Sequence, residues 1–527
     1  MNYPVWDVPV IGSGWTIGII AIIHILISHF AVGGGIFLPM AEAKAIREGR
    51  KDWFPALEKF SKFFLILTGV FGAMTGVGIW FSIGLANPEG TSALIHNFVF
   101  GWAIEWVFFL VELTLAAAYY YTWGKISERD HLRLGWAYAI ASIGTLVIIT
   151  GILTFKLTPG GWLAFAGTGE EPHHFFEAFF NAGYLPSLGL RILVCVSLAG
   201  IWALVYFGGM DGETEGPTKE KLVRWAAKWI LPAYALMPVF ALWYYTTIPA
   251  DHRELFQLGV STIGQGAFTH VTRMALMAVL SSATIALVIF LFAWLFPREL
   301  TRGQGLAILF LALLATASGE SVREFLRKPF VVNGYLYSNG VRVLNIDKVN
   351  RVGYLANSPW AKPVTDTTLP SPEIGLRMFQ GQCMACHTVD GYRSMKRLAG
   401  GRDGKAIGSI LKILKDHKPE SPYYKYMPPL VGNATEIESL RQYLDIMANG
   451  KLTSPVVDTR PKPVKAGVDT TVVRTDSAKA APVADSLKVA KDSLNVASKD
   501  SAKASAPKAS VDSAKAVKPK ADTAKRP

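Results

Sequence analysis

Three cysteines in 527 residues exclude a disulfide framework. Charged residues make up 18% of the chain and hydrophobic ones 51%, too apolar a balance for a soluble enzyme. The formal net charge is +13, yet no nucleic-acid recognition motif accompanies it. Residues 451–527 hold 16 Lys and Arg against 8 Asp, so eight of the thirteen surplus positive charges belong to the tail. Nucleic acid is therefore not an expected partner. From residue 452 onward aromatics are missing, and the units "DSAK", "DSLK" and "DTAK" recur irregularly. Such a segment cannot bury a core, which predicts a disordered, solvated extension. Contact of this basic tail with anionic lipid or cell wall is the lesser reading. Cys195 stands alone inside an apolar run and reads as an inert core residue.

Eight long apolar runs fill the first two thirds, near 15–41, 62–86, 98–123, 134–155, 185–208, 222–248, 267–296 and 303–322. Most exceed the roughly 20 residues that a membrane helix needs, and the last is marginal in length. No small-residue cleavage site follows the first run, which is read as a retained helix. Lys and Arg are missing from alternate loops: 87–97 and 157–184 have none, and 249–266 has only Arg253. The other loops carry Lys44, Arg47, Arg50, Lys51 and Lys59, then Lys125, Arg129 and Arg133, then Lys219 and Lys221, then Arg298 and Arg302. Basic loops face the cytoplasm. The N-terminus is then expected outside, and eight crossings return the chain outside after residue 327.

Two of the three cysteines lie on that outer side, in "GQCMACHTVD" (381–390). Cys-x-x-Cys-His reads as a site of covalent haem attachment, with Cys383 and Cys386 forming the thioether links and His387 ligating iron. A sixth ligand is usually methionine. "KYMPPLVG" supplies Met427, ahead of an amphipathic helix in "EIESLRQYLDIMANG". Met378, Met384 and Met395 flank the attachment loop and read as packing residues. The competing reading, a CxxC redox or zinc site, leaves the adjacent histidine and the Met-Pro-Pro without a purpose. Residues 371–450 resemble a class I cytochrome c domain. The preceding 329–370, with "KPFVVNGYLYSNGVRV", reads as a connector of loops and short strands.

Charges inside membrane helices cost about 2.5–3.5 kcal/mol each on insertion scales, so each is a functional candidate. The first run holds His24 and His29, and the third holds Glu105 and Glu112, two turns apart on one face. The fifth holds Arg191 and the seventh His270 and Arg273. The eighth ends in "GESVREFLRKPF", with Glu320, Arg323, Glu324, Arg327 and Lys328. Under the expected topology most of these groups occupy the outer leaflet.

The Gly-x-x-x-x-Glu-x-x-Arg-x-Pro-aromatic pattern of "GESVREFLRKPF" resembles the signature of subunit I of cytochrome bd-type oxidases. "HILISHFAVGGG" and the third-run carboxylates are similar to that family too. The resemblance spans about 15–330, with eight spans where the family has nine. It implies that Glu324 ligates a high-spin haem b and that His24 serves the high-spin haem pair (b or d type). It implies that Glu105 and Glu112 belong to the haem site and proton route, at a spacing one residue shorter than the family's. Arg327 would balance haem propionates or the Glu324 region. A second membrane subunit and membrane lipids are the implied partners.

Two departures stand out. The outside loop between the sixth and seventh runs is about twenty residues, too short for the family's quinol-oxidising loop, which speaks against the usual quinol site. Where the family's low-spin haem b takes a fifth-helix histidine, this chain has Leu190 and Arg191, and the family's Arg-x-Met becomes Arg273-Met274. His270 is a substitute ligand candidate.

The expected fold class is all-α: a polytopic membrane helix bundle of about eight spans (1–328), the connector (329–370), a small all-α cytochrome c domain (371–451) and a disordered tail (452–527). The expected location is the bacterial cytoplasmic membrane, with the N-terminus and cytochrome c domain periplasmic. The expected function is a respiratory electron-transfer subunit. It would take electrons from cytochrome c or another periplasmic donor through haem c to a high-spin haem that reduces oxygen. Two alternatives remain at this stage: a relay between the quinone pool and periplasmic cytochromes, and a haem-tethering subunit of a larger respiratory complex.

Overall fold

The computed structural model describes residues 3–254, 269–364 and 366–459. Among the described residues, eight helices are long and apolar enough to cross a membrane, as the sequence predicts. They are α1 (Gly12–Arg47), α2 (Lys51–Ala86), α4 (Val99–Tyr121), α5 (Glu128–Phe155), α7 (Tyr184–Phe207), α8 (Gly216–Thr247), α9 (Val271–Leu295) and α10 (Arg302–Arg327). Two short helices, α3 (Pro88–Asn97) and α6 (Phe175–Phe179), lie between them.

Helix α7 is a deeply packed strut. Leu198, Ala199, Ile201, Ala203, Leu204 and Phe207 bury against Leu222, Val223, Ala226, Ala227 and Ile230 of α8 and against α1. The Gly33–Gly35 run lets α1 approach both α7 and α5. A Cβ on Gly33 would fall on the Cys195 carbonyl, and one on Gly35 on the Tyr138 ring. Cys195 itself is a core residue, 1% exposed.

The last span is longer than its hydropathy suggests. A capping box of Thr301 and Gln304 starts it. It then runs on through "GESVREFL", because Glu320 and Arg323 pair at 2.5 Å one turn apart and Glu324 pairs with Arg327. Each i,i+3 pair offsets charge that would otherwise end an apolar helix. The eighth span therefore reaches full membrane length, and the marginal reading is corrected.

Eight crossings bring Gly12 and Arg327 to one face of the bundle, here the N-terminal face. Beyond it the chain forms an antiparallel pair, β1 (Phe330–Val332) with β2 (Leu336–Tyr337), and two short helices, α11 (Ile346–Val352) and α12 (Tyr354–Asn357). Four helices follow: α13 (Pro372–Gln382), α14 (Met395–Ala399), α15 (Gly404–Asp416) and α16 (Ala434–Asn449). Helix α13 crosses α16 so closely that a Cβ on Gly375 would overlap the Ser439 carbonyl.

Met378, Phe379, Met384, Ile407, Leu411, Leu440 and Leu444 form the core of this region, joined by Val341, Val349 and Tyr354 from the connector. Met395 packs against the same core. These three methionines are thus packing residues, as read from sequence.

Met1–Pro461 forms one compact unit that includes the bundle and the haem-motif region. The first residues stitch them together. Trp6 N–H donates to the Leu85 carbonyl, Val5 N–H to Trp360, and Tyr392 N–H to Val10.

Candidate functional site

Helix α13 delivers the haem motif. Ser371 caps it and Pro372 starts it, and it ends at Gln382, one residue before Cys383. The Cys383 and Cys386 thiols are free and half-buried. Burial pushes the Cys383 thiol up to about 12. A redox or zinc CxxC needs a stabilised thiolate, so this environment does not suit one.

His387 Nδ1 lies 3.1 Å from the Arg393 carbonyl. A carbonyl only accepts, so Nδ1 carries the proton and Nε2 keeps a lone pair for a metal. Burial also lowers the His387 pKa, favouring the neutral ring that a ligand requires.

The Met427 loop is held to this motif by one amide. Gln382 Nε2 donates to the Val431 carbonyl at 2.8 Å, and Val431 N–H donates to Gln382 Oε1 at 3.0 Å. Pro429 O accepts from Asn339 Nδ2, and Met427 O accepts from His417 Nε2. The Met427 thioether makes no hydrogen bond among the described residues. These features would suit a haem held by Cys383, Cys386 and His387, with Met427 in a loop tied to the same motif, while among the described residues no cluster of three or more His, Cys, Asp or Glu could hold a bare metal ion.

The motif sits directly on the N-terminal face of the bundle. Tyr392 packs edge-on against Trp15 of α1, and the Arg393 guanidinium lies 5.3 Å from the Phe325 ring centre on α10. Lys328 Nζ is 3.7 Å from Cys386 Sγ and 3.2 Å from Glu324 Oε1. One ammonium group thus touches both the Cys386 thiol and the Glu324 carboxylate of "GESVREFLRKPF".

Within the bundle, His24 Nδ1 is 3.0 Å from Thr75 Oγ1, just past a π-helical stretch of α2 (Leu67–Gly72). Thr75 donates its one hydroxyl proton to the Phe71 carbonyl at 2.7 Å, so His24 Nδ1–H is the donor and Nε2 is left as a candidate ligand atom. Glu112 is buried and accepts from Thr145 of α5, and Glu105 lies close enough to interact with it electrostatically.

Around Glu320 and Glu324 gather Arg323, Arg327, Lys328, Arg191 and Lys156. Five basic side chains against two carboxylates, most of them half-buried, leave room for further negative charge. Haem propionates have the right chemistry to supply it.

His29 joins this cluster from α1. Its Nδ1 donates to the Ile25 carbonyl, and it interacts with Arg191 and Glu320. Among the described residues no hydrogen bond or ion pair links Glu324 to His24 or Glu105. Arg273 is outside these pairs, and the side chain of His270 lies outside the described residues, as does most of the 249–266 loop.

Residues 13–245 match the cytochrome bd terminal oxidase subunit I family. The matched stretch is a little under half of the chain. It includes His24, Glu105, Glu112 and Arg191 of the bd-like bundle, while His270, Glu324 and the haem motif lie beyond it. The fold is similar to that of the bd oxidase from Geobacillus thermodenitrificans, with a TM-score of 0.52 at 15% identity over 61% of this chain and 88% of that one. At that identity the likeness is one of fold. No curated protein matches the chain significantly.

Sequence reasoning missed Lys156, which follows an apolar run and reads as a loop residue, and Gln382, whose clamp has no local signal. It also missed Arg393, whose carbonyl orients His387 and whose side chain meets α10.

Proposed function

We infer that this chain is a membrane respiratory subunit that takes electrons at a c-type haem and passes them to a high-spin haem site that reduces oxygen. The carrying observation is the seating of the haem motif on the bundle, with Lys328 between Cys386 and Glu324. Cys383, Cys386, His387 and Met427 would hold haem c. His24 and Glu324 would ligate a b- or d-type haem, with Arg327 and its neighbours meeting the propionates. Haem in these places supplies one-electron transfer and oxygen binding.

The chain's own groups do the rest. Gln382 holds the methionine loop against the cysteine motif, and Arg393 fixes the tautomer of His387. Lys328 keeps positive charge at the junction, and Glu112 and Glu105 carry protons. Basic loops on the opposite face support a bacterial cytoplasmic membrane location with the haem motif periplasmic. A periplasmic cytochrome is the natural donor, and the short 249–266 segment disfavours quinol. A second membrane subunit fits the family resemblance.

Purified protein tests this. Pyridine haemochrome analysis counts b- and c-type haem, carbon monoxide difference spectra reveal a high-spin site, and an oxygen electrode follows uptake from reduced cytochrome c. The expected result is both haem classes, a CO-sensitive band and oxygen uptake. Haem c alone would leave a tethering subunit. A CO-sensitive band without oxygen uptake would leave a relay.

A further inference from the structure

Far from the haem motif, at the lysine- and arginine-rich ends of α1, α4 and α5, three buried polar groups converge. His131 Nδ1 is 2.7 Å from Glu42 Oε1, Tyr119 Oη donates to Glu42 Oε2 at 2.8 Å, and His131 Nε2 is 2.8 Å from the Tyr119 carbonyl. His131 and Glu42 are 3% and 2% exposed. The carbonyl can only accept, so Nε2 holds a proton in every state. The Nδ1···Oε1 contact then carries one further, movable proton: imidazolium with carboxylate, or imidazole with carboxylic acid. Two residues before His131 in the chain, Arg129 is exposed at the start of α5, so the cluster lies close to water.

Its other side faces the candidate haem site. Glu105, Glu112 and Tyr119 recur every seven residues on α4, so they descend one face in steps of about 10 Å. Between Tyr119 and Tyr138 lies a cavity of about one water's volume, lined also by Gly35, Leu38, Pro39, Phe64, Ala116 and Gly135, so that the two tyrosines are its only polar side chains. Tyr138 in turn lies within electrostatic range of Glu112.

We propose that Glu42, His131 and Tyr119 form a proton-loading cluster on the basic face, feeding Glu112 and Glu105 past Tyr138. This rests on the oxidase reading. Reduction of one O2 molecule to two waters consumes four electrons, which would be delivered through haem c, and four protons. Each proton arriving at the His131–Glu42 pair displaces one onward: Glu42 protonates the Tyr119 oxygen as that hydroxyl releases its own proton on the cavity side, and the hydroxyl then turns back to Glu42, with no net change in the cluster.

The test compares wild type, Glu42→Gln and Tyr119→Phe as full-length, haem-loaded protein. An oxygen pulse is given to the reduced enzyme, and a pH dye follows proton uptake. Infrared difference spectra on reduction follow carboxyl groups, and CO spectra report whether the haem site is intact. We expect proton uptake slowed at least tenfold in Glu42→Gln and severalfold in Tyr119→Phe, with unchanged CO spectra and loss of one carboxyl band in Glu42→Gln. Wild-type uptake rates in both variants, with that band retained, would overturn the proposal alone. If Glu42→Gln loses its haem, Tyr119→Phe, which removes one oxygen atom, decides the matter. A wild type that consumes no oxygen and takes up no protons would sink the oxidase reading and this inference with it.

Discussion

At the scale of single residues, donor bookkeeping assigns roles that residue type alone leaves open. His24, His29 and His387 each spend Nδ1–H on an oxygen, yet only His387 sits beside two cysteines. Cys386→Ser and His387→Ala are expected to abolish or strongly dim covalent haem staining of the 57.5 kDa band on a denaturing gel. Gln382→Ala removes two buried hydrogen bonds between the cysteine motif and the Met427 loop. The expected cost is about 1–3 kcal/mol, read from chemical unfolding followed at the haem c absorbance.

His417 gives a pH dependence. Burial lowers its pKa, so the folded state favours the neutral ring. Below about pH 6.5 the unfolded chain binds a proton that the folded chain does not. Stability of the haem-motif region should therefore fall as pH drops through that range and level off above it. In His417→Gln, melting curves at pH 5.5 and 7.5 should converge. The Cys-x-x-Cys-His spacing and the ionisable residues inside the apolar runs were legible in the sequence, whereas the partners of Gln382 and Lys156 were not, because they lie far along the chain.

At the scale of elements, eight spans were visible because an apolar run of membrane length has few other stable fates. The end of α10 was not, because hydropathy counts Glu320, Arg323, Glu324 and Arg327 as four costs while the helix pairs them two by two. The crossing of α13 and α16 depends on Gly375. Gly375→Val would drive a branched side chain onto the Ser439 carbonyl. Loss of haem c with retention of any b-type haem is the expected outcome, measured as the ratio of the two in a pyridine haemochrome spectrum.

At the scale of the whole molecule, the proposed function turns on the contact between the Cys-x-x-Cys-His region and the bundle. The Val10–Tyr392 hydrogen bond, the Arg393–Phe325 stack and the Lys328 bridge hold the Cys-x-x-Cys-His region against the bundle. In Lys328→Ala, stopped-flow reduction of haem c by an external donor should keep its rate. Onward reduction of the membrane haem should slow severalfold. Equal rates in variant and wild type would remove Lys328 from the electron path.

The sequence by itself determined the membrane character, the count of spans, the basic and bare faces, and the Cys-x-x-Cys-His spacing, because each rests on local composition or on spacings of a few residues. Only the tertiary structure decided which charges face one another. The Glu42 partners lie 77 and 89 residues away in the chain, and Cys386 meets Lys328 across 58. Such contacts arise when helices pack side by side, and no periodicity within one helix encodes its neighbour's register.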